Sequence, residues 1–120
     1  MLPLVGRCHT DIVERFGIRR EAGGTDHVTL LARTAPLGAE ALASLSELAL
    51  AAVAMSAGGD GGLNPPAKLR VGLFVARRVW SGPIRAIACA RCCGSGWLLD
   101  CEIRDERGQL LSTAFAAVPA

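Results

Sequence analysis

Tyrosine is absent from this chain, and three phenylalanines and two tryptophans are its only aromatic side chains. So few flat faces argue against a stacking platform for single-stranded nucleic acid. Lysine is almost absent too: of the 13 basic residues 12 are arginine, spread along the chain and set against 11 acidic residues for a formal charge of +2. That is not the basic stripe of a DNA-binding protein. Arginine's planar fork suits phosphate oxygens on a small ligand, and a solvated surface is the plainer reading of the same residues. No apolar run reaches the roughly 18 residues of a membrane span. The first 20 residues carry Asp11 and Glu14 and no continuous apolar stretch, so neither a signal peptide nor a membrane anchor is expected. Five cysteines, an odd number, then fit free thiols in a reducing compartment, the cytoplasm.

What the chain has in excess is apolar content. Hydrophobic residues make up 51% of 120 residues and charged ones 20%, with a mean hydropathy of +0.35. Intrinsic disorder is excluded, and residues 1–120 are expected to form a single domain. So apolar a composition in so short a chain also points to a subunit contact.

Along the chain, Leu4, Val5, Cys8, Ile12 and Val13 trace a short, imperfect amphipathic helix over residues 3 to 16 that stops at Gly17. From Ile18 to Arg33 the period shortens, which reads as a strand or, with Gly23 and Gly24 as a bend, as a hairpin. Residues 37 to 57 are rich in the strong helix formers Ala, Leu, Glu and Met, with no proline and no glycine past Gly38, and this is the expected central helix. The run Gly58-Gly59-Asp60-Gly61-Gly62 through Asn64-Pro65-Pro66 is a loop; prolines follow it where a phosphate loop needs Gly-Lys-Ser/Thr and a helix. Beyond Lys68 come four strand-like runs. Leu69, Val71, Leu73 and Val75 alternate with Arg70, Gly72 and Phe74; Ile84, Ala86, Ala88 and Ala90 alternate with Arg85, Ile87 and Cys89; Leu99, Cys101 and Ile103 alternate with Asp100, Glu102 and Arg104; the last run spans Leu110 to Val118. Tight turns between consecutive strands imply an antiparallel meander with one dry face. An apolar helix must be covered and a one-sided sheet must cover its dry face, so the expected fold is α+β, a five-stranded antiparallel sheet wrapped around the helix.

The segment Ala35-Pro36-Leu37-Gly38-Ala39-Glu40 through Glu47, the strand end Val75-Ala76-Arg77-Arg78-Val79, and the final pair Leu99 to Arg104, Asp105-Glu106-Arg107-Gly108 and Leu110 to Ala114, taken in order, resemble the hot-dog fold thioesterases of the phenylacetate-degradation type. The resemblance spans residues 17 to 118. It implies a homodimer or homotetramer whose sheets join edge to edge, with an acyl-thioester site at the interface beside the central helix. It further implies hydrolysis of acyl-coenzyme A or acyl-carrier thioesters by a helix carboxylate, helped by backbone N–H groups at the helix start. Glu47 takes the carboxylate's place, and Gly38 and Ala39 the place of the polarising N–H groups, with Gly38-Ala39-Glu40 standing where the family has His-Gly-Gly. Arg77 and Arg78 fall near the expected position of pantetheine and nucleotide phosphates. No cofactor and no metal is expected. The alternative function is a non-catalytic binder of acyl thioesters or other small ligands that keeps the dimer without turnover.

Each candidate has a plainer reading. At about 100° per residue, Glu40, Ser44, Glu47, Ala51 and Ala54 share one helix stripe opposite Leu42, Leu45, Ala49 and Val53. That stripe faces water unless a partner covers it; a covered carboxylate becomes suited to general-base or nucleophilic work. Glu40, near the helix start, also complements the helix dipole. Arg77-Arg78 suits a diphosphate or protects a strand end from aggregation. Cys89, Cys92 and Cys93 suggest a metal or redox site, but on a strand positions 89 and 92 point to opposite faces, and buried thiols acting as small hydrophobes are the preferred reading. Cys8 and His9, adjacent on a helix, diverge too far to form a nucleophile and base. His27 on its strand is a weaker base candidate.

Overall fold

Residues 18 to 32 fold as a hairpin rather than as one strand. Strand β1 (Ile18–Gly23) runs antiparallel to β2 (His27–Ala32), and the reversal is closed by the Gly24 N–H donating to the His27 carbonyl at 2.8 Å. This computed structural model describes residues 17–33, 39–58, 72–76, 80, 82–94 and 96–118. The expected helix over residues 3 to 16 with its Cys8 and His9, the glycine-proline loop, Gly38, Arg77 and Arg78 lie outside them. Helix α1 (Ala39–Gly58) follows the hairpin, and then come β3 (Gly72–Val75), β4 (Ile84–Cys93), β5 (Gly96–Asp105) and β6 (Leu110–Val118). The hairpin raises the sheet to six strands from the expected five.

The sheet order is β1-β2-β4-β5-β6-β3, antiparallel throughout. The expected meander therefore holds for β4, β5 and β6 but not for β3, which crosses to pair with β6 at the far edge. The place beside β4 is taken by β2, which offers six residues to the ladder where β3 has four. A short strand at an exposed edge presents few unpaired backbone groups.

The β5–β6 turn is local chemistry. One carboxylate oxygen of Asp105 accepts from the N–H groups of Arg107 and Gln109, each at 2.9 Å, while the Gly108 N–H donates to the Asp105 carbonyl at 3.0 Å. Gly108 sits at φ +82, a conformation that glycine adopts without a Cβ penalty.

Alternation sorts the strands into two faces. Inward rows read Val28–Ala88–Cys101–Ala114, Leu30–Ala86–Ile103–Ser112 and Ala90–Leu99–Ala116, all buried. Alanines on β4 leave room beneath the helix, and α1 fills it with Leu42, Leu45, Leu48, Leu50 and Val53, each almost fully buried. A side chain of that size contributes about 1.5–3 kcal/mol when withdrawn from water. Because α1 is apolar nearly all round, it is stable only when largely enclosed, and β2, β4, β5 and β6 all pack against it.

Candidate functional site

Among the described side chains of α1, Glu47 alone is exposed. Of the stripe expected to face outward, Ser44 and Ala51 are half-buried beside it and Ala54 is fully buried. The strip of helix left open is thus narrower than the helical wheel implies, and it presents one carboxylate flanked by small side chains. Ala39 begins the helix, which places its backbone N–H among the donors that the first turn leaves without a helical acceptor. Glu40 follows in that first turn.

Other sequence candidates are not gathered at this strip. His27 projects from the outer face of the sheet, away from the helix, where its Nδ1 lies 3.1 Å from Asp26 Oδ1. That hydrogen bond holds the Asp26 carboxyl below its ordinary value. The three described thiols are free, and they differ. Cys92 is exposed, so the buried-hydrophobe reading fails for it. Cys89 is half-buried on the outer face opposite Asp100, and burial first, then that carboxylate, pushes its thiol up. The buried thiol is Cys101, beneath the helix, raised to about 12 by burial despite a weak interaction with the Ser46 hydroxyl. Neither Cys89 nor Cys101 is a poised thiolate. Among the described residues no three His, Cys, Asp or Glu side chains come together as a metal ligand set.

The outer face carries what sequence reasoning passed over. Leu98, Phe115 and Phe74 are exposed there. A cleft of about 580 Å³ opens on the same side, lined by Arg91, Leu98, Asp100, Phe115 and Ala117 together with Leu99 and Ala116. It lies across the sheet from Glu47, so cleft and carboxylate are separate features. Arg91 and Asp100, which line it, pair at 3.6 Å, and farther along the outer face Arg104 pairs with Glu102 at 3.3 Å and Arg85 with Glu21 at 2.7 Å.

One helix enclosed by a single antiparallel sheet in this strand order is the hot-dog fold, and comparison with solved structures agrees. A variant of a thioesterase enzyme from Staphylococcus aureus superposes with a TM-score of 0.72 at 18% identity, covering 92% of this chain and 98% of its own. The Escherichia coli PaaI protein, from the phenylacetic acid degradation operon, gives 0.71 at 16% identity, over 92% of this chain and 88% of that one. Zebra fish thioesterase superfamily member 2 gives 0.75 at 12% identity, over 92% and 85%. Neither a protein-family model nor a curated sequence matches the chain. At these identities the likeness is one of fold. Among the described residues no helix is long and apolar enough to cross a membrane.

Proposed function

We propose that this chain is an acyl-thioester hydrolase in which Glu47 acts as general base or nucleophile on acyl-coenzyme A or an acyl-carrier thioester. The observation that carries the reading is the exposure of Glu47, alone among the described side chains of α1, in a fold shared with thioesterases. A thioester needs its carbonyl oxygen polarised and a nucleophile delivered to its carbon. Backbone N–H groups at Gly38 and Ala39 suit the first task and a carboxylate the second.

Helix geometry supports a site shared by two copies. Glu47 lies eight residues beyond Ala39, about 12 Å of axial rise, while polarising donors must sit within about 3 Å of the oxygen. A glutamate side chain does not span that gap, so the N–H donors of one copy serve the acyl group attacked from the other, in a homodimer or homotetramer. The second copy also covers a carboxylate that a single chain leaves in water. Ser44 and Glu40 then border the acyl group, and Arg77 and Arg78 meet the phosphates of the carrier. The cytoplasm, where such thioesters are made, is the proposed location.

The test is thiol release from a panel of acyl-coenzyme A esters, with Glu47→Gln as the shape-preserving control. Turnover by the wild type, reduced about 10²–10⁴-fold in the variant, supports the assignment; equal rates abolish it. A second reading rests on Gly38-Ala39-Glu40, which lacks the histidine of the resembling family: a binder that holds acyl thioesters without cleaving them. Saturable acyl-coenzyme A binding with no thiol release by either protein favours that reading.

A further inference from the structure

The cleft on the outer face takes no part in the proposed catalysis, and β4, β5 and β6 all contribute to it. The Asp26 carbonyl, just before β2, accepts from the Ala90 N–H at 2.8 Å, so the backbone groups of Cys89 point the other way, to its β5 partner Asp100. Asp100 and Phe115 are therefore a non-hydrogen-bonded cross-strand pair, with a Cα separation of about 4.5 Å and adjacent side chains. One row away Arg91 pairs with Leu98, and Leu98 with Ala117. The Phe115 ring is 64% exposed and lies over Gly72, where a Cβ would stand 2.5 Å from Cζ. An aromatic surface is thus set beside a carboxylate and an apolar floor. Both signs of charge meet here. Arg91 Nη2 and Asp100 Oδ2 are 3.6 Å apart, and the two side chains are 75% and 46% exposed. That distance is beyond hydrogen-bonding length, so the contact uses none of the hydrogen-bonding positions of either group, and so exposed a pair costs little to rearrange.

We propose that the cleft binds a free α-amino acid with a large apolar side chain, its carboxylate on the Arg91 guanidinium, its ammonium on the Asp100 carboxylate and its side chain over Leu98, Ala117 and the Phe115 ring. Charge selects this class. A simple organic cation is repelled by Arg91 and a simple anion by Asp100, whereas a ligand carrying both charges side by side is attracted by each. Spacing narrows it further. Standard bond lengths put the ammonium nitrogen of an α-amino acid roughly 2.7 Å from its nearer carboxylate oxygen, so the two lie head to tail against protein charges 3.6 Å apart. The termini of a peptide are residues apart, and a peptide end offers only one of them. The ligand carboxylate accepts from the planar guanidinium fork, and an aromatic side chain packs offset or edge-on against Phe115. The volume is suitable as well: about 580 Å³ falls within the span of small-molecule sites, about 300–1,000 Å³.

Saturation-transfer NMR titration of the full chain with L-phenylalanine tests the site, against phenethylamine, which lacks the carboxylate, 3-phenylpropionate, which lacks the ammonium, and L-alanine, which lacks the ring. L-Phenylalanine should saturate, and each analogue should bind about tenfold more weakly or worse for the charged or aromatic contact it forgoes. Arg91→Met and Asp100→Asn, with folding confirmed by far-UV circular dichroism, should each weaken L-phenylalanine about tenfold. Arg91→Met should leave phenethylamine no weaker than in the wild type, and Asp100→Asn should leave 3-phenylpropionate no weaker. Ala117→Trp, which fills the recess, should abolish binding. Absence of saturation by L-phenylalanine overturns the proposal, as does equal affinity in the folded Arg91 and Asp100 variants. Phenethylamine binding as tightly as L-phenylalanine also overturns it and makes the cleft a cation site on Phe115. Failure of the hydrolase reading appears separately, as absent thiol release by the wild type.

Discussion

Replacing Ser46 by alanine should stabilise this protein, although it deletes a fully buried atom. Ser46 faces inward from α1, and its hydroxyl finds no oxygen or nitrogen partner among the described residues, meeting only the weakly interacting Cys101 thiol. Leaving a buried hydroxyl unsatisfied costs about 1–3 kcal/mol, of which the sulfur recovers the smaller part. Alanine also gains about 0.5 kcal/mol of helix propensity over serine. Against these, losing one oxygen's handful of packing contacts, each about 0.1–0.2 kcal/mol, costs about 0.5–1 kcal/mol. The balance is a gain of about 1 kcal/mol, or a rise of about 3–5 °C in Tm for a chain of this size. Urea and thermal unfolding at one fixed protein concentration, with the m-value unchanged, read it directly. Leu45→Ala, one position earlier and equally buried, serves as the opposite control and should lose about 2–5 kcal/mol. A fall in the Tm of Ser46→Ala would refute the reasoning, because it would mean that the hydroxyl has a partner strong enough to outweigh its desolvation.

Further outcomes follow from the ionisable groups. The Arg85 guanidinium, donating to Glu21 at 2.7 Å, holds that carboxyl below its ordinary value of 4.5; the contribution is therefore complete above pH 4.5 and lost as pH falls through the lowered folded-state value, and Arg85→Met should flatten the acid limb of the stability curve. Because Glu21 is on the surface, the effect is small and shrinks in high salt. Burial raises the Cys101 thiol to about 12 from an ordinary 9.0, so the fold loses stability as pH climbs from 9 toward 12, where the unfolded thiol ionises and the folded one does not. At pH 8 an alkylating reagent read by mass spectrometry should modify exposed Cys92 within minutes and spare Cys101 until the protein unfolds; comparable rates at the two would contradict the burial.

Local chemistry made much of the fold readable in advance. The helix expected over residues 37 to 57 runs over Ala39–Gly58 because nothing between Gly38 and Gly58 opposes helix formation. The last three strands follow their alternation, and Asp105 with Gly108 defines the turn between two of them. Strand order was not readable. Alternation assigns a residue to a face, yet it carries no information about which strand lies alongside. The four residues of β3 show the same period whether they pair with β4 or, as they do, with β6, since that choice depends on β2 competing from far away in sequence.

The two faces of the molecule were legible to different degrees, for one geometric reason. A helical wheel divides a helix into a dry half and a wet half, whereas this sheet encloses more than half of α1, so Ala54 left the predicted stripe for the core and, among the described side chains of that stripe, Glu47 remained exposed. On the outer face the opposite held. Leu98, Phe115 and Phe74 each occupy a position where alternation calls for a polar side chain, and taken singly an exposed apolar residue means little. Only the cross-strand register aligns the three on one diagonal beside the cleft. A stripe assembled from three strands is written in long-range pairing rather than in any local window, and it becomes visible when the sheet is assembled.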